Sequence, residues 1–359
     1  MLRVGIIGCG FIARKHVKTI AHLKDFSLTA VSDLYYKKMK EITSLYQREK
    51  RLAFPVSFHP NYQSLLADPR IDVIVVATAS HLHAKIAKEA IMHGKHVIVE
   101  KPLALSMKDM HDLIELAEKR NKHILVCHQL RYRPLIQKIN RLINDKKLGE
   151  IYFGSVTLML NRSLAYYATN EWKGTWEKDG GMLINQGIHL VDLLIWMLGD
   201  VKSVYGDITK TLQTKETEDI ALGFIQFQSG AKGLINANTI TKPKNLGYSL
   251  AIFGEKGSIV IGGKYFNQLE HAYIEEDPEL IKELQLANES NDDEHAMMYK
   301  NFSQAINGEA SLLMSAKEAK QSLESIFALY QSSVHKKPIN LPLQHFSTTD
   351  MLRKDRGDL

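Results

Sequence analysis

Four stretches of the chain hold residues whose type and spacing could do chemistry. The first is Gly8-Cys9-Gly10-Phe11-Ile12-Ala13, a G-x-G-x-x-G/A hexapeptide. Its first glycine makes a tight turn, its second lets backbone approach a pyrophosphate, and the third small residue lets a helix pack on a strand. A helix opening there offers free N–H groups and a partial positive charge to phosphates. Asp33 lies 20 residues after Ala13, where an acid grips ribose hydroxyls. An acid at this place repels a 2′-phosphate, so NAD is expected over NADP, although Lys37 and Lys38 stand close by.

The second stretch is Glu100-Lys101-Pro102, after the run His96 to Val99. Ligands of open α/β sheets sit at the carboxyl ends of strands. A partly desolvated lysine there can hold a proton near a reacting hydroxyl; the plain alternative is a surface lysine beside a proline turn. The third stretch is Gly180 to Trp196. Its apolar residues Ile184, Ile188, Val191, Ile195 and Leu198 are spaced for the buried face of a helix. Asn185, His189 and Asp192, at i, i+4 and i+7, border that face, and Gly187 leaves backbone open to close approach. His189 is either an acid–base residue or a core histidine satisfied by Asp192. The fourth stretch, Arg162 to Asp179, is dense in Arg162, Tyr166, Tyr167, Trp172 and Trp176. Aromatic faces meet sugar C–H faces and arginine meets phosphate or carboxylate, or such rings simply pack. Gln129, Arg131 and Tyr132 are candidates to close the same cleft. Of the fifteen histidines, His81 and His83 follow a buried strand and could touch a dinucleotide. None forms H-E-x-x-H or another ligand spacing, and no metal is expected.

The elements that must position these residues follow from periodicity. Leu2–Ile7, Leu28–Ser32, Ile71–Ala77, His96–Val99 and Ile124–Cys127 read as strands, alternating with helical patterns near 12–23, 35–47, 81–93 and 106–120. That alternation predicts a doubly wound parallel sheet with right-handed crossovers. After about residue 148 strand-like runs succeed one another: Ile151–Leu160, Val201–Thr209, Ile220–Gln228, Ala231–Ile240, Leu246–Phe253 and Ser258–Ile261. Helical patterns interrupt at 181–198, 293–306 and 316–335. The fold class is therefore α/β, an N-terminal Rossmann domain (1–123) plus a C-terminal α+β domain (124–345) with a mostly antiparallel, open-faced sheet. A polar tail (346–359) is expected to be loose.

The chain has 359 residues, 45% of them hydrophobic, 24% charged and only two cysteine. This composition excludes a disordered chain, a coiled coil and a disulfide scaffold. No apolar run approaches a membrane span, and no signal peptide is read, so a cytoplasmic protein is expected. The formal charge of +6 is spread and interleaved with acids, which argues against nucleic acid as a partner and suits an anionic small molecule.

Together, Gly8-x-Gly10 with Asp33, Ala77-Thr78 with His83, Glu100-Lys101-Pro102, and Gly180-Gly181 leading to His189 and Asp192 resemble the glucose–fructose oxidoreductase/inositol dehydrogenase/MocA (Gfo/Idh/MocA) family over nearly the whole chain. Within it, Trp172-Lys173-Gly174-Thr175-Trp176, Asp179-Gly180-Gly181 and Asn185-Gln186-x-Ile188-His189 are most similar to UDP-N-acetylglucosaminuronate or UDP-N-acetylglucosamine 3-dehydrogenases. The resemblance implies NAD(P)-dependent oxidation of a sugar ring hydroxyl, at C3 of a UDP-N-acetylhexosamine or its uronate, in a homodimer or homotetramer built on the open sheet face. Lys101 and His189 match the family's lysine and histidine near the reacting carbon. Gly8, Gly10, Phe11, Ile12, Asp33, Thr78, Ser80, His83, Glu100 and Gln129 are the implied cofactor set. Lys101, Arg131, Arg162, Tyr167, Trp172, Thr175, Asn185 and His189 are the implied substrate set. Asn185 stands where many members have aspartate, Ala79 where proline is frequent, and Leu130 where the subgroup often has a polar residue. Two other readings stay open: a dehydrogenase of another sugar, sugar phosphate or cyclitol, and a non-catalytic NAD-binding sensor.

Overall fold

A computed structural model describes residues 1–51, 55–212, 215–275, 277–290 and 292–354. In chain order the elements are β1 (Leu2–Ile7), α1 (Ala13–His22), β2 (Phe26–Ser32), α2 (Tyr36–Lys50), β3 (Ser57–His59), α3 (Tyr62–Leu66), β4 (Val73–Val76), α4 (His83–Met92), β5 (His96–Val99), α5 (Met107–Lys119) and β6 (Ile124–Val126). There follow α6 (Pro134–Asn144), β7 (Ile151–Met159), α7 (Leu164–Ala168), α8 (Ile188–Leu198), β8 (Val201–Thr209), β9 (Ile220–Phe227), β10 (Lys232–Asn238), β11 (Gly247–Gly254), β12 (Gly257–Gly262) and β13 (Gln268–Ile274). The last are α9 (Pro278–Glu289), α10 (Glu294–Ile306), α11 (Ala316–His335), β14 (Ile339–Asn340) and α12 (Met351–Lys354). They divide into two compact units: one of residues 1–104, 108–132 and 292–319, the other of 105–107, 133–291 and 320 onward.

Unit one holds a six-stranded sheet in the order β3-β2-β1-β4-β5-β6, with every pairing parallel. All four residues of β4 are buried, as a strand covered on both faces requires. The strand order reverses between β1 and β4, which puts a crevice outside their carboxyl ends. The segment 292–319 returns to this unit. Met314 O accepts Val126 N at 3.1 Å, and Ser315 bridges Leu125. A boundary expected at 123 thus falls before β6, which the sheet claims, and α10 belongs with strands that precede it by some 170 residues or more. An amphipathic pattern shows that α10 has a buried face but not which core buries it.

Unit two holds an eight-stranded sheet in the order β13-β12-β11-β7-β10-β9-β8-β14. Only β7 and β10 pair in parallel; the other pairings are antiparallel. Its inner face carries α8 and α11 at backbone distance. A Cβ on Gly154 would sit 2.9 Å from Leu194, and one on Gly206 or Gly223 would sit 2.5 or 2.6 Å from Leu329. The outer face is open: Tyr205, Leu222, Phe224 and Leu234 are 41–50% exposed, and Tyr205, Phe224 and Leu234 form one cross-strand row. β13 has no counterpart in the sequence reading because six of its seven residues are half-exposed or exposed and neither alternate set of QLEHAYI is apolar throughout. Residues 346–351 are built into unit two rather than loose. Phe346 O accepts Met107 N, Thr348 N donates to Leu105 O, Ser347 and Asp350 form a capping box, and Met351 is buried. The tail's last five residues, 355–359, lie outside the described residues. No helix among the described residues is long and apolar enough to cross a membrane.

Candidate active site

In unit one the glycine loop is shaped as the hexapeptide requires. Gly8 has φ +92°, and a Cβ there would lie 2.5 Å from the Ala77 carbonyl oxygen, so only glycine fits. Gly10 has nothing within 4 Å of a built Cβ, which leaves its backbone open to a ligand. Phe11 is exposed, Ile12 precedes the first turn of α1, and Ala13 is fully buried where helix meets sheet. Asp33, half-buried at the end of β2, accepts Cys9 N on Oδ2 (2.8 Å) and Tyr35 N on Oδ1 (2.9 Å). Its carboxylate therefore holds the loop and keeps lone pairs for hydroxyls. A cradle that a side chain would fill, followed by a helix start and an acid, fits a dinucleotide. Beside it, Arg14, Lys37, Lys40, Arg48 and Arg51 line a basic groove with Glu41.

The ends of β4 and β5 are tied together by His83. Its Nδ1 meets Pro102 O at 2.7 Å and its Nε2 meets Thr78 O at 3.1 Å. Burial, above all, pushes its pKa down. The ring is 1% exposed, so the expected contact with a dinucleotide is replaced by a structural one: His83 pins the turn carrying Lys101 to the turn after β4. Thr78 and Lys101 are half-buried and Ser80 is buried. Glu100, expected to touch the cofactor, turns into a closed cluster. Its Oε1 is hydrogen-bonded to His16 Nε2 at 3.0 Å, the Cys127 thiol donates to the same carboxylate, and His16 Nδ1 and Tyr299 OH share a hydrogen bond of 2.8 Å. His16, Glu100 and Cys127 place ligand-type atoms within 4.8 Å of one another, and these hydrogen bonds account for their closeness. Gln129 is half-buried in the turn Gln129–Tyr132. Arg131, expected at the substrate, is 1% exposed, as is Tyr132, whose OH donates to Asn301 Oδ1. The Arg131 side chain is thus enclosed by protein rather than displayed on an open surface.

In unit two, Leu183–Gly187 is a π-helical turn leading directly into α8. The five apolar residues spaced for a buried face, Ile184 to Leu198, are all buried. Asn185 lies within that turn, four residues before His189. Asn185 Nδ2 donates to Asp179 Oδ1, and Asp179 Oδ2 accepts Gly174 N at 2.8 Å. Gln186 bridges two residues: its Oε1 accepts Arg162 Nη2 at 2.9 Å, and its Nε2 donates to Tyr166 OH at 2.9 Å. Arg162 and Lys173 both lie over the Tyr166 ring, 5.1 and 4.1 Å from its centroid. Burial pushes the Lys173 pKa down and the Tyr166 pKa up. Trp172 and Thr175 are half-buried and Tyr167 is buried. His189 is half-buried in the first turn of α8 and Asp192 is 1% exposed. Two cations beside one aromatic ring suit an anion carried by a ring with C–H faces. The sequence reading missed Asp179 and Gln186 as partners, and Lys173 as a cation of the site. Their signal was only proximity to Asn185 and to the aromatic run.

Residues 2–128 match the oxidoreductase family with NAD-binding Rossmann fold, and residues 136–260 match the GFO/IDH/MocA C-terminal domain. The chain is similar to the crystal structure of the WlbA dehydrogenase of Chromobacterium violaceum in complex with NADH and UDP-GlcNAcA, at 31% identity over 96% of each chain with a TM-score of 0.87. It is similar to the Bordetella pertussis WlbA complex with the same two molecules, at 30% identity over 96% of this chain and 99% of that one, TM-score 0.84. The glucose-6-phosphate 3-dehydrogenase of Bacillus subtilis is 26% identical over 76% of this chain and 77% of its own.

Proposed function

The chain belongs to the Gfo/Idh/MocA family and is an NAD-dependent sugar oxidoreductase, and from that premise we propose that it oxidises C3 of a UDP-N-acetylhexosamine or its 6-uronate. The observation that carries this reading is the Arg162–Gln186–Tyr166–Lys173 network. It offers two half-buried cations and an aromatic face to an anionic sugar. The likeness to two structures that hold UDP-GlcNAcA supports the same substrate class.

NAD, when bound on Gly8, Gly10 and Asp33, supplies a hydride acceptor. The chain's own work is to orient the sugar and to manage one proton. As the C3–H bond gives up its hydride, the C3 hydroxyl loses its proton and becomes a carbonyl. Lys101, if neutral, takes that proton. If charged, it polarises the forming carbonyl oxygen and His189 takes the proton. Arg162 and Lys173 hold the anionic group, and Asn185, fixed by Asp179, meets a substrate hydroxyl. The open row Tyr205, Phe224 and Leu234 is the surface on which a second copy packs. Light scattering on Phe224→Glu, smaller than wild type in mass, checks it.

The deciding experiment follows NADH fluorescence with UDP-GlcNAc, its uronate, glucose 6-phosphate and myo-inositol. We expect a signal with a UDP-sugar, and a drop in kcat of about 100-fold or more in Lys101→Ala and His189→Ala. Turnover in either variant equal to wild type overturns the roles; a signal with free polyols alone overturns the substrate. A sugar phosphate is the second reading, favoured by the same two cations and by the relative named for glucose 6-phosphate.

A further inference from the structure

The segment Lys215–Asp219 lies outside every motif of the sequence reading, yet four of its five residues are buried: Lys215, Thr217, Glu218 and Asp219 are at most 6% exposed. Its backbone and side chains reach the substrate segment at several points. Lys215 Nζ donates to Tyr167 OH (3.2 Å) and pairs with Asp219 Oδ1 (2.8 Å). Glu216 Oε2 accepts Trp176 N at 3.0 Å, and Gly174 O accepts the N–H groups of Glu216 and Thr217. Glu218 reaches further. Its Oε1 accepts Tyr330 O–H at 2.6 Å and Leu183 N–H at 2.8 Å.

Leu183 opens the π-helical turn that precedes α8. The first N–H groups of a helix have no intrahelical acceptor, and a side-chain oxygen normally supplies one from the cap position. Here Gly180 and Gly181, with φ +85° and +111°, stand before the helix and have no side chain to offer. A Cβ on Gly181 would crowd Tyr330 OH and come within 2.7 Å of Glu218 Oε2. Gly181 thus clears the space through which a distant carboxylate caps the turn. Its second oxygen, Oε2, is buried with no hydrogen-bond partner, so the contact to Leu183 is not one of several equivalent ones.

We propose that Glu218 is a positioning residue of the reaction: from just before β9 it caps the π-helical turn that sets the phase of α8, and so orients His189 and Asn185 relative to the loop that holds the sugar. The proposal rests on the reading of His189 as an acid–base residue. Its structural half stands apart from that reading.

The test compares Glu218→Ala, Glu218→Gln and wild type as full-length protein. Glu218→Ala is expected to lose about 100-fold in kcat, the cost of a misplaced catalytic group, with KM for NAD unchanged. Glu218→Gln keeps an acceptor for Leu183 N–H and is expected within about threefold of wild type. Amide exchange at residues 183–189, which needs no substrate, is expected to speed at least tenfold in Glu218→Ala and to stay near wild type in Glu218→Gln. Unchanged exchange in Glu218→Ala overturns the proposal. Equal loss of kcat in both variants overturns it too, because an acceptor then does not suffice. Altered exchange with no activity in wild type on any sugar overturns the functional reading alone. Should Glu218→Ala fail to fold, Glu218→Asp takes its place: the shorter acid withdraws the acceptor, and wild-type exchange and kcat in it overturn the proposal.

Discussion

Glu100 in unit one and Glu218 in unit two are both buried, and the two are driven in opposite directions. Burial pushes both carboxyls up. In unit one the His16 hydrogen bond and its charge, with Lys101 and His295 behind it, outweigh burial and hold Glu100 at about 2. In unit two Glu218 receives two neutral donors, Tyr330 O–H and Leu183 N–H, and burial wins, so its pKa stays raised. The nearest cation, Lys215, spends its ammonium on the Glu218 carbonyl, on Tyr167 and on Asp219 instead. Burial sets the penalty; the partner's charge and its aim set the sign. The glutamate paired with a titratable donor anchors the strand end that carries Lys101. The one paired with neutral donors caps the turn that precedes His189.

The largest effect expected from this contrast is on stability. Glu100→Ala removes the acceptor of two buried donors, His16 Nε2–H and the Cys127 thiol, and should cost about 3–5 kcal/mol in urea unfolding. Glu218→Ala should cost less, about 1–3 kcal/mol, because its donors are neutral. Equal costs would break the comparison.

Gly181→Ala comes next. The added Cβ meets Tyr330 and Glu218 at a left-handed φ of +111°, and a loss of about 2–3 kcal/mol is expected from the shift in Tm. Gly10→Ala, with open space around it, should change stability by less than about 1 kcal/mol and weaken NAD binding instead.

The pH dependence sharpens the comparison further. Glu100 has a folded pKa below its unfolded one, so its contribution is present above about pH 4.5 and is lost as pH falls toward 2. Between pH 5 and 3 that amounts to about 2 kcal/mol. Glu218 has a raised pKa, so its contribution is present below its ordinary value and is lost as pH rises through the raised one. Stability relative to wild type should therefore fall with rising pH for Glu100→Gln and rise for Glu218→Gln. Parallel slopes in chemical denaturation would refute the opposed assignments.

The smallest effect belongs to the surface. Lys15 and Asp293 pair at 2.8 Å with both side chains over 40% exposed. Lys15→Ala should cost about 0–1 kcal/mol and lose even that in high salt.

Much of the site was legible in the sequence because it depends on local geometry. Gly8 announces itself, since only a glycine satisfies a positive φ against a strand backbone. Asp33 sits where β2 ends, and strand ends follow from apolar runs. The buried stripe Ile184 to Leu198 obeyed its helical period even across the π turn. What failed to show were the partners of polar residues. His83 and Arg131 look like ligand contacts by place and type, and both are 1% exposed. Asn185 gives no sign in the sequence of its partner, and Asp179, six residues earlier, takes its amide.

By itself the sequence determined the two-part fold class, the NAD-binding sheet with its glycine loop, and the stretches from which the candidate site residues are drawn. These rest on backbone period, side-chain size and chain order, which neighbouring residues specify. Only the tertiary structure decided that Glu100 faces His16 and Cys127, that 292–319 returns to the first unit, and that Glu218 caps a turn 35 residues earlier in the chain. A buried polar atom must be satisfied, but its partner is whichever group the fold brings within about 3 Å, and no spacing along the chain encodes that meeting.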